Sequence, residues 1–142
     1  MMVQNTQSPG MYAPEILLIE QSAMIGNIIV STARQLGLQP IRLVTSSRGA
    51  LQFMENQVFA GLITSLDDEE GALALIQKLR DGNFKSRPNT PLAITAGQCS
   101  AELANRIKLF NARRILLKPF KIRDLVATIE ILASAPSASR AP

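Results

Sequence analysis

The chain has 142 residues, of which 46% are hydrophobic and only 4% aromatic, and its formal net charge is +4. This size and composition predict a single globular domain with an aliphatic core. Histidine is absent, which removes the commonest metal ligand and general base, and the single cysteine, Cys99, excludes an internal disulfide. We therefore expect a protein of the reducing cytoplasm, with no membrane-spanning segment and no signal peptide.

The regular apolar periodicity is confined to the middle of the chain. Residues 1–14 are polar and interrupted by proline and glycine, which is typical of a flexible arm. Residues 15–133 carry the predicted helices and strands and form the predicted domain. Residues 134–142 are alanine, serine and proline with one arginine, so we expect a disordered tail or a linker to a further domain.

Short apolar runs alternate with segments of helical periodicity along this domain. Serines that suit helix N-caps, and asparagines or glycines that suit helix ends, separate them. In chain order, the predicted elements are strand 16–19, helix 24–38, strand 40–44, helix 46–57, strand 61–65, helix 71–83, strand 92–96, helix 100–111, strand 115–117 and helix 121–133.

The strands are continuously apolar, which is typical of a parallel sheet buried on both faces. Right-handed crossovers then predict a doubly wound α/β sandwich of three layers around a five-stranded sheet. We expect the first, third and fifth strands at its centre. The carboxyl ends of all five strands meet at one edge, where open sheets of this kind bind their ligands.

The motif at residues 117–120, Leu-Lys-Pro-Phe, ends the fifth strand and gives the first indication of a family. The chain resembles the response-regulator receiver domain, the module typified by the bacterial chemotaxis regulator, over residues 15–132. The resemblance is carried by this motif after Asn111-Ala112, by Ala50-Leu51 in the second helix, and by the apolar strand before Glu20-Gln21. It implies a (βα)5 flavodoxin-like fold and a role in two-component phosphorelay signal transduction.

The resemblance also implies a set of chemical groups at the carboxyl edge, and this chain departs from it. Receivers hold Mg²⁺ with two acidic residues and phosphorylate an aspartate at the end of the third strand, where the cation and a lysine neutralise the phosphoryl charge. Here Glu20 and Gln21 occupy the acidic pair, and Ser65 occupies the acceptor position. Serine forms no acyl phosphate and no evident base activates it, while an amide is a poor Mg²⁺ ligand. We expect weak or no Mg²⁺ binding and no cofactor.

The remaining positions of the set are also mostly altered. The switch hydroxyl corresponds to Thr95 by motif, but to Ala96 by counting back from the lysine, and Ile115 replaces the switch aromatic. Only Lys118 is retained. The resemblance therefore implies a degenerate or pseudo-receiver that is not an enzyme and does not run the aspartyl-phosphate cycle.

Two alternatives concern the carboxyl edge. Asp67, just beyond the third strand, is a candidate for a relocated phosphoacceptor, although acids at a helix start more often cap the helix. Lys118 is a candidate for a partly buried ion pair with Glu20, which we favour as its main role. A further alternative is that the altered crevice or a basic surface binds a nucleotide or another small anion, although no glycine-rich phosphate loop is present.

Basic residues concentrate in the fourth helix, the fifth strand and the start of the fifth helix. They are Arg106, Lys108, Arg113, Arg114, Lys121 and Arg123. In receivers this face carries dimerisation and output contacts, which implies a protein partner or a homodimer here. A solvated charged face is an equal alternative. Nucleic-acid binding is unlikely, because the chain has neither an aromatic platform nor a DNA-binding motif, and no membrane contact is expected.

Overall fold

The structure, a computed structural model, describes residues 14–134. Of the predicted arm only Pro14, and of the predicted tail only Ser134, which ends the last helix, lie within the described residues. The elements are β1 (Ile16–Ile19), α1 (Ala23–Gln35), β2 (Ile41–Val44), α2 (Ser47–Asn56), β3 (Gly61–Ser65), α3 (Glu69–Arg80), β4 (Leu92–Ala96), α4 (Ala101–Leu109), β5 (Arg114–Leu117) and α5 (Ile122–Ser134). Within the described range, no helix has the length and apolar character needed to cross a membrane.

The five strands form one parallel sheet in the order β2-β1-β3-β4-β5. This confirms the predicted flavodoxin-like α/β fold. The predicted centre of the sheet is wrong in one respect, because β5 lies at an edge and β4 separates it from β3. The order of parallel strands depends on where each crossover helix takes the chain. The apolar pattern of a strand does not specify which strands lie beside it.

The sheet separates two apolar clusters, as a three-layer sandwich requires. Ile16 and Leu18 point to the face covered by α1 and α5, while Leu17 and Ile19 point to the face covered by α2, α3 and α4. All four side chains are buried, because alternate residues of a strand point to opposite faces and both faces are covered. The continuous apolar run of β1 is thereby explained.

The helix ends follow the chemistry of their residues. The hydroxyls of Ser22, Ser46 and Ser100 each accept a hydrogen bond from the backbone N–H three residues ahead, and so cap α1, α2 and α4. Asn111 follows α4 with a φ of 61°, and Gly37 follows α1 with a φ of 67°. Both adopt the left-handed conformation that ends helices.

The strand β5 differs from the buried strand that its apolar run predicted. Only Leu116 is buried, while Ile115 and Leu117 are exposed. An edge strand has one neighbouring strand, and here the flanking helices do not cover its outer side. The prediction of a buried fifth strand is therefore wrong for two of its three apolar residues.

Candidate functional site

Three elements bring the candidate residues together at the carboxyl edge of the sheet. Glu20 directly follows β1, Ser65 ends β3, and Lys118 directly follows β5. The strands β1 and β3 are neighbours, whereas β5 is two strands away from β3. Only a long side chain bridges that gap, and Lys118 extends past the end of β4 to contact both Glu20 and Ser65.

The ammonium of Lys118 is surrounded by three side-chain oxygens. Its Nζ lies 2.9 Å from Glu20 Oε1, 3.2 Å from Ser65 Oγ and 3.2 Å from Asp67 Oδ2. An ammonium has three N–H donors, so these three acceptors use its whole hydrogen-bonding capacity. We call these four residues the lysine cage.

Burial makes the pairing of Glu20 with the lysine strong. Glu20 is only 1% exposed, and its second carboxylate oxygen, Oε2, accepts the backbone N–H of Ser22 at 2.9 Å. Burial by itself lowers the pKa of Lys118, but the hydrogen bonds and charges of Glu20 and Asp67 together outweigh it and raise that pKa. The ammonium therefore keeps its charge throughout the neutral range.

Asp67 enters the cage because its neighbour caps the following helix. Asp68, and not Asp67, accepts the Gly71 N–H as the N-cap of α3. Asp67 is then free to reach Lys118, and its own backbone N–H donates to Ser65 Oγ at 3.2 Å. The helix-capping role that the acidic run suggested for Asp67 is therefore wrong. Its position two residues beyond the third strand was the available signal for a place near the lysine.

The other predicted positions lie around the cage without joining it. Thr95 is paired with Ser65 in the register of β3 and β4, is buried, and its hydroxyl has no hydrogen-bond partner among the described residues. Ala96 is the next residue and pairs with Leu117, while Ile115 lies on the exposed edge. Of the two candidate switch positions, Thr95 is thus the one beside the acceptor position.

The Gln21 side chain has an unusual environment for a polar group. Both its amide nitrogen and its amide oxygen are inaccessible to solvent and have no hydrogen-bond partner within residues 14–134. Buried polar groups are normally paired, because an unpaired one costs about 1–3 kcal/mol. This amide directly follows Glu20, at the carboxyl edge of the sheet.

The residues present do not fit a receiver-type Mg²⁺ site. One oxygen of Glu20 is held by the ammonium and the other by the Ser22 N–H, and the second position of the pair is the neutral Gln21. The ammonium lies between the two nearest carboxylates, where a cation would need to bind. In the described part of the chain, no group of three or more histidine, cysteine, aspartate or glutamate side chains is placed to hold a metal ion.

The predicted basic residues lie in and around α4, β5 and the start of α5. The "basic face" comprises Arg106, Lys108, Arg113, Arg114, Lys121 and Arg123, of which all but Arg114 are exposed. Three apolar side chains of α4 and β5 are exposed as well: Leu109 is 85% exposed, Leu117 54% and Ile115 38%. Of these six cations, only Arg106 has an ion-pair partner among the described residues: Glu69, at 3.8 Å. The elements α4 and β5 thus expose apolar as well as cationic side chains.

No protein-family model matches this chain, and no curated protein does. Solved structures do. The CheY-like receiver domain protein from Methanospirillum hungatei JF-1 is 21% identical, with a TM-score of 0.73 over 84% of this chain and 92% of that one. An orphan response regulator of H. pylori is 18% identical, with a TM-score of 0.72 over 85% and 97%.

A further similar structure is the receiver domain of a sensor histidine kinase from Pseudomonas aeruginosa PAO1, with a magnesium ion coordinated in its active-site cleft. It is 19% identical, with a TM-score of 0.69 over 87% of this chain and all of that one. At these identities the likeness concerns the fold. The chain therefore has the fold of the response-regulator receiver domains.

Proposed function

We propose that this chain is a receiver-like signalling domain of the two-component or phosphorelay type, that it is not an enzyme, and that it acts by docking a protein through its basic face without aspartyl phosphorylation. The proposal rests on one observation above all. The strand β5 exposes Ile115 and Leu117 on one side, and the exposed cations of α4, β5 and the start of α5 have almost no ion pairs within residues 14–134. Apolar side chains that lie together on the surface of a soluble protein often belong to a binding site.

The chemistry of this face favours an acidic partner. Its apolar part, Ile115 and Leu117, suits the core of an interface, and its cations suit a partner that carries carboxylates. A homodimer through the same face would bring like charges together unless Glu102 and Asp124 were aligned with them. We therefore favour a different protein with an acidic surface, and a homodimer is the second outcome of the test.

Site-specific photo-crosslinking in the native host tests the docking. p-Benzoylphenylalanine in place of Leu117 is expected to give a discrete adduct, whereas the same amino acid in place of Val58, equally exposed but away from β5, is expected to give none. Charge reversal at the rim, Lys121→Glu with Arg123→Glu, should remove the adduct. Arg48→Glu, on the exposed side of α2, should leave it unchanged.

The outcomes separate clearly. An adduct that requires both position 117 and the basic rim supports the proposal, and its mass tells a second copy of the chain from another protein. Equal adducts from both positions, or an adduct that survives the charge reversal, contradict it. Raising the salt concentration should weaken the interaction, because the charges are at the solvent-exposed rim.

A second candidate function is phosphorylation at Asp67, and the contact between Asp67 and Lys118 specifically favours it. In this alternative the lysine would pair with the phosphorylated aspartate. Incubation of the full chain with acetyl phosphate and Mg²⁺, followed by intact-mass measurement, tests it. We expect no added phosphoryl group. A mass increase of one phosphoryl group that is lost in Asp67→Asn would replace our proposal with this alternative.

A further inference from the structure

The oxygens of the lysine cage are of the kinds that bind cations, and the cation that they surround is the ammonium of Lys118. Two carboxylates and a hydroxyl, from Glu20, Asp67 and Ser65, converge on one point, and the Lys118 ammonium occupies it. Carboxylate, hydroxyl and amide oxygens are the ligands that hard divalent cations prefer.

The charges of the cage explain why a second cation is not expected beside the first. Glu20 and Asp67 carry two negative charges, of which the ammonium neutralises one. A divalent cation at the same oxygens would meet the ammonium at close range, and it would also have to displace the ammonium from a carboxylate that is almost completely buried. Since the lysine is tethered to β5, it competes at a very high effective concentration.

We propose that the Lys118 ammonium is the resident cation of this crevice: it closes the crevice to Mg²⁺ and Ca²⁺, and removing it uncovers a divalent-cation site made by Glu20, Ser65 and Asp67. The N–O distances of 2.9–3.2 Å are longer than metal–oxygen distances of about 2.0–2.6 Å, so the oxygens must draw in. Asp67 is half exposed and can move, and Ca²⁺, with its adaptable geometry, should fit better than Mg²⁺. No residue of the basic face belongs to the cage, so this inference does not depend on the proposed docking.

Titration of the full-length chain with MgCl₂ and with CaCl₂, followed by amide NMR, tests the inference. In the native chain, the amide resonances of Ser22 and Asp67 should not move at cation concentrations up to about 10 mM. In Lys118→Met they should move, with a dissociation constant at least tenfold lower than in the native chain for Ca²⁺. A rise of the melting temperature with Ca²⁺ should accompany it in this variant alone.

Two control variants separate the cage from general charge effects. Lys121→Met removes the same charge from an exposed position three residues away and should behave as the native chain does. Lys118→Met combined with Glu20→Gln leaves no unpaired buried charge, so it should fold, and it should not bind the cation. Binding in this double variant would show that the ligands are elsewhere and would overturn the assignment.

The remaining outcomes are also decisive. Saturable shifts of Ser22 and Asp67 in the native chain overturn the inference, as does equal binding by Lys118→Met and Lys121→Met. If Lys118→Met does not fold by itself, the same titration is followed as recovery of dispersed resonances. Recovery with millimolar Ca²⁺ supports a cation site, and its absence overturns one. None of these results bears on crosslinking at Leu117, so failure here and failure of the docking proposal are distinguishable.

Discussion

The two edges of the sheet have almost the same residues and opposite surroundings. The strand β2 reads Ile-Arg-Leu-Val and β5 reads Arg-Ile-Leu-Leu. At β2, Leu43 packs against Gly26 of α1 so closely that a Cβ there would lie 2.6 Å from Leu43 Cδ1. Arg42 pairs with Glu15 at 2.9 Å and lies over the ring of Phe53. The β2 edge is thus covered and internally paired.

The β5 edge has no comparable cover. Ile115 and Leu117 are exposed, and the nearby cations lack partners within the described residues, apart from the long contact of Arg106. Open edges with apolar residues invite association, and proteins usually protect them. The comparison shows that the composition of an edge strand does not determine whether its side chains are covered. The packing of the neighbouring helices determines it. The exposed β5 edge is therefore where a partner is expected, and the β2 edge serves as its internal control.

The largest effect on stability is expected at Arg80 of α3, which connects its helix to the loops before β4 and β5. The Arg80 guanidinium donates to three backbone carbonyls, those of Phe110, Pro88 and Thr90, at 2.7–2.8 Å. Burial, together with the neighbouring charge of Arg113, lowers the Arg80 pKa. The three carbonyl oxygens accept the hydrogen bonds that a carboxylate would otherwise accept. Arg80→Ala should lower the free energy of unfolding by about 2–3 kcal/mol in urea denaturation, because three carbonyls lose a charged donor. Arg48→Ala should change it by less than about 0.5 kcal/mol.

Two leucines measure the two edges directly. Leu43→Ala removes a side chain packed on α1 and should cost about 2 kcal/mol, at the low end for leucine because Leu43 is only half-buried. Leu117→Ala, on the open edge, should stay within about 0.5 kcal/mol of the native chain. Thermal and urea unfolding of both variants checks this. Equal losses would show that β5 is covered in solution and would remove the basis of the comparison.

Local patterns in the sequence were sufficient for the elements and their ends. The caps at Ser22 and Ser100 and the left-handed Asn111 depend on neighbours three or four residues away, so the sequence contains the whole interaction. The strand order was not predictable in the same way. Placing β5 beside β4 depends on how the helices pack across the sheet, which involves residues from the whole chain.

The crevice shows the same division. That Glu20 and Lys118 would meet could be expected, because both follow parallel strands at the same edge. The position of Asp67 just beyond β3 made a contact with Lys118 conceivable, but either Asp67 or Asp68 satisfies an N-cap pattern, and only the geometry of the loop selects Asp68 as the cap. The choice between Thr95 and Ala96 likewise needed the register of β3 with β4.

The smallest effect is expected at the crevice end of β5 and only in alkali. The pKa of Lys118 is raised in the folded chain. In the unfolded chain the lysine loses its proton near the ordinary lysine pKa of about 10.4, whereas in the folded chain it stays protonated to a higher pH. The stabilisation is complete below that pH and is lost as the pH rises through the folded pKa. The difference in urea midpoint between the native chain and Lys118→Met should therefore be constant from pH 8 to 10 and shrink above it. A difference that grows with pH would contradict the raised pKa.

The helix α4 has a consequence for how an interaction near the β5 edge can be observed. It buries only Ile107, whereas α3 buries five residues. Amide protons of α4 should therefore exchange with deuterium through a local opening that leaves β1 and β3 protected, as mass spectrometry of the exchanging native chain can show. A partner that rests on α4 would cover side chains that the fold leaves exposed. Slower exchange of the α4 amides in the same experiment would therefore report its binding.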